Sequence, residues 1–600
     1  MVNEETAKIL QGITGYPSID KKHLAGTKWS ERHPMIPNAG IADTMKVLWS
    51  TCPDDPAVSH DELTATHKEL LEDAKTIAKA FKELGVKKGD IISVCMPNYY
   101  QAVASFVAAN RIGAIVTFLN PYSRDDELIQ QLNKYESPLL INFDKDSEYN
   151  NMIKKNTKVK NVITLQKGNE KVRDFNLDKD KLIGYDDLID YSDLKLIGDY
   201  YKYMSRGFVT GKDDALILFT SGSTGNPKDM LFTNRNVLSA CIYYKNSAHL
   251  EKFADKHGKW MGVVPFMYPY GFAASVLSTL LAGREAMLAP NAGPDNINEY
   301  LKQKPNLIFG SPAFLELVKR NADPKIDMSS LGMFVSGGDF LSEAQSRGAI
   351  EFFKEHGADV KMCNGSGNGE LLGCCTNSMN VEYRPDTVGK LVNGPKFVVI
   401  NEETGEECKY NEVGILCVRG KQTFKEYYKN PKLTEEAMID FKGEKYYKTG
   451  NVGFLSEDGY FTLVGRSSRF FIINTLNKVY CELIQNVVSQ IDVVDSCAVV
   501  PKPNDDQLFE SKAYVVLKPG TPDTPEIREY IMKKSFDPYT DYTGNKVSLK
   551  EYEVPKSVTI LDKLPRTPGA DKIDYELLKK MAEEEYNKEK AETKKMGLKK

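Results

Sequence analysis

Apolar residues recur at three- and four-residue intervals through Leu70, Leu71, Ala74, Ile77, Ala78, Phe81 and Leu84. That spacing puts one side of a helix against a core, and Gly85 offers the left-handed cap that ends it. The run from Asp90 to Met96 is nearly continuous in apolar character and stops at Pro97, which predicts a buried strand. A second helical pattern continues to Arg111, and Gly113 to Leu119 predicts another strand before Asn120-Pro121. Helix, strand, helix, strand is the order of a doubly wound α/β sheet. Similar short apolar runs at 138–143, 161–165, 215–219, 261–265, 307–310 and 333–335 extend that core to at least residue 340.

From Lys390 the texture changes. Val, Ile and Tyr alternate with polar residues, and turn signals stand at Glu403-Thr404-Gly405 and Asp458-Gly459, which predicts antiparallel hairpins. Beyond Gly465 a shorter α+β stretch follows. Residues 581–600 are rich in Glu and Lys with little to bury, which predicts a solvated helix end or a disordered tail. The expected division is therefore 1–465 for a large α/β region, with 390–465 as its β-rich part, 466–580 for a small domain, and 581–600 for the charged tail.

Composition narrows the function. The chain of 600 residues carries 79 Lys and Arg against 83 Asp and Glu, a net charge of −4, so it lacks the basic footprint of a nucleic-acid binder. At 41% hydrophobic and 27% charged it reads as a water-soluble enzyme. Its apolar runs are too short or too interrupted to span a bilayer. The opening Met1-Val2-Asn3-Glu4-Glu5 has no basic segment leading into an apolar core, and the ten cysteines show no C-x-x-C pair, so a reduced cytoplasm is expected. No two of the seven histidines have metal-binding spacing.

The segment Thr220-Ser221-Gly222-Ser223-Thr224-Gly225-Asn226-Pro227-Lys228 follows the apolar run 215–219. Hydroxyls, closely approachable backbone N–H groups and one ammonium in succession make a cradle for polyphosphate. It is not a Walker A loop, because no G-K-[ST] closes it.

At this point the chain resembles the ATP-dependent adenylate-forming enzymes, which include acyl-CoA synthetases, aryl-CoA ligases, adenylation domains and luciferases. Their phosphate loop, T-S-G-S-T-G-x-P-K-G, is matched through Lys228 and departed from at Asp229. Other motifs follow in order. Pro265 to Gly271 is similar to the acyl-pocket element P-x-x-H-x-x-G, with Tyr268 in the His position. Ser336-Gly337-Gly338-Asp339 is similar to S-G-G-A. Ser366-Gly367-Asn368-Gly369-Glu370 stands where the family has Y-G-x-T-E, keeping the Glu and losing the Tyr and Thr. Tyr447 to Asn451 resembles Y-x-T-G-D with Asn for the ribose-binding Asp. Gly465-Arg466-Ser467-Ser468 resembles the hinge G-R-x-D. Finally, Leu564 to Asp574 resembles L-P-x-T-x-x-G-K-[IV]-D with one extra residue, which aligns Lys572 with the catalytic lysine.

The resemblance implies a large N-terminal domain of doubly wound sheets with a β-rich subdomain, and a small mobile C-terminal domain carrying the lysine. It implies an acyl-CoA synthetase that activates a carboxylic acid, with a weak leaning to a medium- or long-chain fatty acid, using ATP, Mg²⁺ and coenzyme A. The implied catalytic residues are Lys572, Lys228 and Glu370, with Glu370 also holding the metal. Nucleotide binding would fall to Thr220, Ser221, Gly222, Ser223, Thr224, Gly225, Gly338, Ser366, Gly367, Asn368, Gly369, Asn451 and Arg466, and the acyl group to Tyr268, Gly271 and Gly337. Two other readings stand beside it here: an enzyme that loads a carrier protein, and a non-catalytic nucleotide- or acyl-binding relative. Plainer roles also stand, with the two lysines as solvated side chains, Glu370 as a helix cap, and Tyr268 and Tyr270 as core aromatics.

Overall fold

The computed structural model describes residues 14–24, 28–171, 173, 209–220, 228–248, 258–339, 341–385, 387–467, 470–474, 477–504, 509–540, 546–567 and 572–595. The predicted first helix spans His67–Glu83. It starts where Thr66 and Glu69 cap each other's backbone N–H groups, and ends before Gly85 at φ +80. Its apolar stripe packs against the helix Tyr100–Arg111, which is buried along most of its length.

Two seven-stranded sheets form the core. In the first, the spatial order is Glu426–Tyr427, Asp229–Thr233, Asp214–Phe219, Ile115–Phe118, Ile91–Cys95, Leu139–Phe143 and Asn161–Leu165. In the second it is Lys361–Asn364, Met333–Ser336, Leu307–Gly310, Lys259–Gly262, Glu285–Leu288, Pro56–His60 and Leu63–Thr66. Parallel strands dominate both, joined by helices, so both are wound in two directions from a central strand. The chain does not fill them in sequence. Pro56–His60 pairs in parallel with Glu285–Leu288, matching Val58 to Ala286, so an N-terminal hairpin completes the later sheet.

Aromatic packing couples the two. Phe272 is fully buried, with its ring 4.9 Å from Phe106 and 4.5 Å from Phe118. Burying one such side chain is worth about 1.5–3 kcal/mol, and here it anchors the Tyr270–Leu277 π-helix under the cleft. The strand expected at 261–265 ends earlier, at Gly262. Asn98 takes over the backbone beyond it, donating to the Val264 carbonyl at 2.8 Å and accepting from the Phe266 N–H at 3.0 Å. A side chain from the other sheet thus replaces strand pairing and turns the chain toward Tyr268.

The hairpin-rich region is an antiparallel sheet built from Lys396–Ile400, Gly414–Arg419, Glu444–Leu455, Met438–Phe441 and Phe461–Arg466. The C-terminal part holds the three-stranded sheet Val494–Pro503, Phe509–Leu517 and Ser557–Ile560. The charged tail forms the expected helix end, though not a wholly solvated one. Tyr575–Lys595 is one helix, with Leu578 and Ala582 fully buried. Its Glu585 and Glu589 pair with Lys512 and Lys502, lysines only 3% and 5% exposed on the sheet beneath. A buried ammonium needs a partner, and these two find theirs on a segment that looks solvated when read locally.

Candidate active site

A cleft of about 1180 Å³ opens where strand ends of the second sheet meet the end of Asp214–Phe219 and the segment leading into the C-terminal helix. Thr220 and Lys228 close the mouth of the Ser- and Gly-rich loop. The Thr220 N–H donates to the Lys228 carbonyl at 3.0 Å, and the Lys228 N–H donates to the Thr220 hydroxyl at 3.1 Å. The strands on either side, Asp214–Phe219 and Asp229–Thr233, pair antiparallel. Ser221, Gly222, Ser223, Thr224 and Gly225 lie outside the described residues. Asp229, where the resemblance has Gly, is buried and ion-paired with Lys134.

The lysine of the small lobe reaches this same cleft. Thr567 and Lys572 are tied across their turn: the Thr567 N–H donates to the Lys572 carbonyl at 2.8 Å, and the Lys572 N–H to the Thr567 hydroxyl at 3.3 Å. Asp339 accepts the next N–H, from Ile573, at 3.3 Å. Gly338 has φ +89, and a Cβ there would lie 3.6 Å from Lys572 Cε. Lys572, Gly338, Thr220, Lys228 and Glu370 therefore line one cavity. Asp339 was not assigned a role on sequence, because the family element it falls in carries Ala there.

Tyr427 is a second residue missed on sequence. Its hydroxyl donates to Glu370 Oε1 at 2.5 Å, and the Lys228 ammonium stands 5.4 Å from its ring centroid. Burial and the Glu370 charge push the Tyr427 phenol well above its ordinary range, so it stays a donor at neutral pH. Glu370 sits in the short turn Gly369–Leu371 and is 6% exposed. Among the described residues no cluster of three or more ligating side chains forms a metal cage. One carboxylate facing the cleft does fit Mg²⁺ that rides on nucleotide phosphates, since that ion keeps few protein ligands.

A second flank, beside Glu370, is internally bonded through neutral side chains. Asn368 donates to the Thr449 carbonyl at 2.6 Å. Asn451 donates to the Ser366 hydroxyl at 2.9 Å and to Asn368 Oδ1 at 3.3 Å. Asn451 is fully buried and does not line the cleft, a departure from its expected place against the ribose, because its amide is spent on these two neighbours. Its own Oδ1 has no partner among the described residues. Gly367 must lack a side chain, since a Cβ would meet the Gly373 carbonyl at 2.2 Å; Gly367, Gly369, Ser366 and Arg466 line the cavity.

In the acyl region, Tyr270 donates to the Val335 carbonyl at 2.8 Å and the Gly310 carbonyl at 3.3 Å. Its ring covers Gly337, where a Cβ would come within 2.9 Å. Tyr268 lines the cleft, its phenol pushed up to about 12 by burial. Gly271 does not line it; a Cβ there would meet the Pro265 carbonyl at 2.1 Å, so this glycine serves the packing beneath. Tyr244, Ala274 and Cys363 join the wall. No local motif marks them, because they come from core-facing elements that only the fold assembles.

Two doubly wound sheets, a substrate cleft at strand carboxyl ends and a lysine delivered by a separate small lobe define an adenylate-forming type of architecture. The family comparison agrees. The AMP-binding enzyme model matches residues 48–428 and the AMP-binding enzyme C-terminal domain model matches 483–570, so the chain belongs to the AMP-binding enzyme family. It is 25% identical over 573 residues to a long-chain-fatty-acid–CoA ligase of Bacillus subtilis (strain 168), covering 92% of this chain and 96% of that one. It is 25% identical over 472 residues to 4-coumarate–CoA ligase 3 of Arabidopsis thaliana, covering 77% and 79%. Among solved structures, an anthranilate CoA ligase in complex with anthranoyl-AMP superposes with a TM-score of 0.74 at 18% identity, covering 92% of this chain and 99% of that one. ATP-bound MatB from Rhodopseudomonas palustris superposes with a TM-score of 0.73 at 20% identity, covering 91% and 99%.

Proposed function

We propose that this AMP-forming acid–CoA ligase joins a carboxylic acid to ATP in the Lys572 cleft and then passes the acyl group to coenzyme A. A carboxylate is a poor electrophile, and it becomes a good one when its oxygen attacks the α-phosphorus of ATP. That step forms the acyl–AMP anhydride and breaks the bond to pyrophosphate. A thiol then attacks the carbonyl carbon and AMP leaves. The obstacle in the first step is charge, because an anion must approach a polyanion.

The chain's own groups answer it by position. Lys572 bridges the carboxylate and an α-phosphate oxygen; Lys228 and the loop from Thr220 hold the outer phosphates; Gly338 lets backbone approach closely. Tyr427 fixes the Glu370 carboxylate, which would hold Mg²⁺, an ion that supplies neutralisation of phosphate charge when bound. The observation that carries the reading is the entry of Lys572 into the cavity that Thr220 and Lys228 also line, with its chain beside Gly338. The hydroxyl of Tyr270 is taken up by backbone carbonyls, so the slot presents aromatic and aliphatic faces, which favours an acid with an apolar body such as a fatty acid.

No described helix is long and apolar enough to cross a membrane, and all ten cysteines are free thiols, which supports work in a reducing cytoplasm. The test is exchange of labelled pyrophosphate into ATP over a panel of acids, with and without coenzyme A. Acid-dependent exchange followed by CoA consumption is expected. Absence of exchange with every acid would leave only a binding role, and exchange with no CoA consumption would point to a carrier protein as acceptor.

A further inference from the structure

The strand Asp229–Thr233 begins one residue after Lys228, and much of the charged flank leans on it. Met230 packs on Gly369, where a Cβ would come within 2.8 Å of the Met230 Cε, and it lies opposite Tyr427, the donor to Glu370. Asp229 lies opposite Phe219 on one side, and on the other its carbonyl accepts the Tyr428 N–H at 2.8 Å. A shift at the start of this strand would therefore move Lys228, Tyr427 and the turn of Glu370 together.

What stands at that start is a carboxylate in a buried place. Asp229 is 6% exposed, and successive side chains of a strand alternate between faces, so it turns away from Lys228 and Met230. The face it enters is apolar: Phe219 and Leu231 lie there with Leu128, Leu132 and Tyr135 of the helix Asp125–Tyr135. The Tyr135 ring stands 6.5 Å from Phe219 and 5.7 Å from Tyr428. Burial and the Asp229 charge push the Tyr135 phenol well above its ordinary range, so it stays neutral beside the carboxylate. Lys134, on the same helix, makes the ion pair with Asp229, and its carbonyl accepts from the Lys429 ammonium at 3.1 Å. One turn back, Gln131 lines the catalytic cleft, so the helix that supplies the cation also borders the site.

A buried carboxylate stripped of its cation is costly where it stands: it must draw water in or move outward, and the start of the strand moves with it. On the reading that the loop from Thr220 to Lys228 holds the outer phosphates, we infer that Lys134 is a positioning residue for that loop, acting through Asp229. It works from the far face of the sheet, by keeping an acidic residue seated at the hinge from which Lys228 projects, and not by touching the nucleotide.

The test is equilibrium dialysis of labelled ATP, pyrophosphate and AMP against the full chain, without acid or CoA. Lys134→Met is expected to weaken ATP and pyrophosphate about tenfold, while AMP, which lacks the outer phosphates, stays within about twofold. Lys134→Arg keeps the charge and should hold all three ligands within about twofold of wild type. Lys134→Met combined with Asp229→Asn removes the stranded carboxylate and should bring ATP and pyrophosphate back to within about threefold of wild type. Lys134→Gln keeps a donor without the charge; it should show the same selective loss at about fivefold, and it carries the test if the Met variant does not fold. Unchanged ATP binding in the Met and Gln variants, equal weakening of ATP and AMP, or a double variant as weak as Lys134→Met overturns the proposal. Lys228→Ala separates it from the reading beneath. ATP affinity unchanged there strikes the loop's role and this one with it, whereas weakening there with none at Lys134 strikes the role of Lys134 alone.

Discussion

The two flanks of the catalytic cleft are built on opposite principles. On one side Lys572, Lys228 and Glu370 bring charge to the cavity, with Gly338 opening the backbone beside them. On the other, Ser366, Asn368, Thr449 and Asn451 bond to one another, with Asn451 Oδ1 left without a partner among the described residues, and Asn451 is withdrawn from the surface altogether. The side that departs most from the family's motifs is the side where neutral groups have closed into a network. In the proposed reaction this contrast assigns transition-state binding to cations and backbone aimed at developing phosphate charge.

That contrast can be broken by experiment. Lys572→Ala should slow single-turnover adenylation about 10²–10³-fold, as expected for loss of a preorganised cation, with ATP affinity little changed. A wild-type rate would remove the charged flank from the chemistry. Tyr427→Phe should cost about 10–150-fold in adenylation rate, since a hydrogen bond to a charged acceptor is worth roughly 1.5–3 kcal/mol. If Tyr427 only packs, the rate will hold and thermal stability alone will move. On the neutral flank, Asn451→Asp sets a carboxylate against Asn368 Oδ1 in a fully buried place, and should lower stability by about 1–3 kcal/mol, read from the urea midpoint. Tighter ATP binding in that variant would instead mean that residue 451 turns toward the ribose. Asp339→Ala removes the acceptor for the Ile573 N–H and should slow adenylation by about threefold to tenfold while sparing transfer from preformed acyl-adenylate to CoA. Equal slowing of both steps would show that Asp339 does not favour the lysine-in position.

Much of the site was legible in order along the chain. Thr220, Lys228, Gly337, Gly338, Glu370, Arg466 and Lys572 were picked out by motif, and all line the cleft. Gly271 and Asn451 were picked out by the same means and do not line it, because motif position says nothing about which face of a turn or strand a residue presents. Tyr427 and Asp339 went unseen. Their importance comes from contacts with Glu370, 57 residues away, and Ile573, 234 residues away.

The periodicity of Leu70 to Leu84 and the bounded apolar runs specified helices and strands, since spacing along a chain decides which side of an element can be buried. Motif chemistry likewise specified which residue types meet phosphate. What the chain could not declare locally was partnership: that Pro56–His60 completes the later sheet, that Glu585 and Glu589 neutralise lysines under a helix that looks solvated, and that Asn98 ends a strand of the other sheet. Those outcomes depend on which groups are left unpaired when distant surfaces close on one another, and only the assembled fold leaves them so.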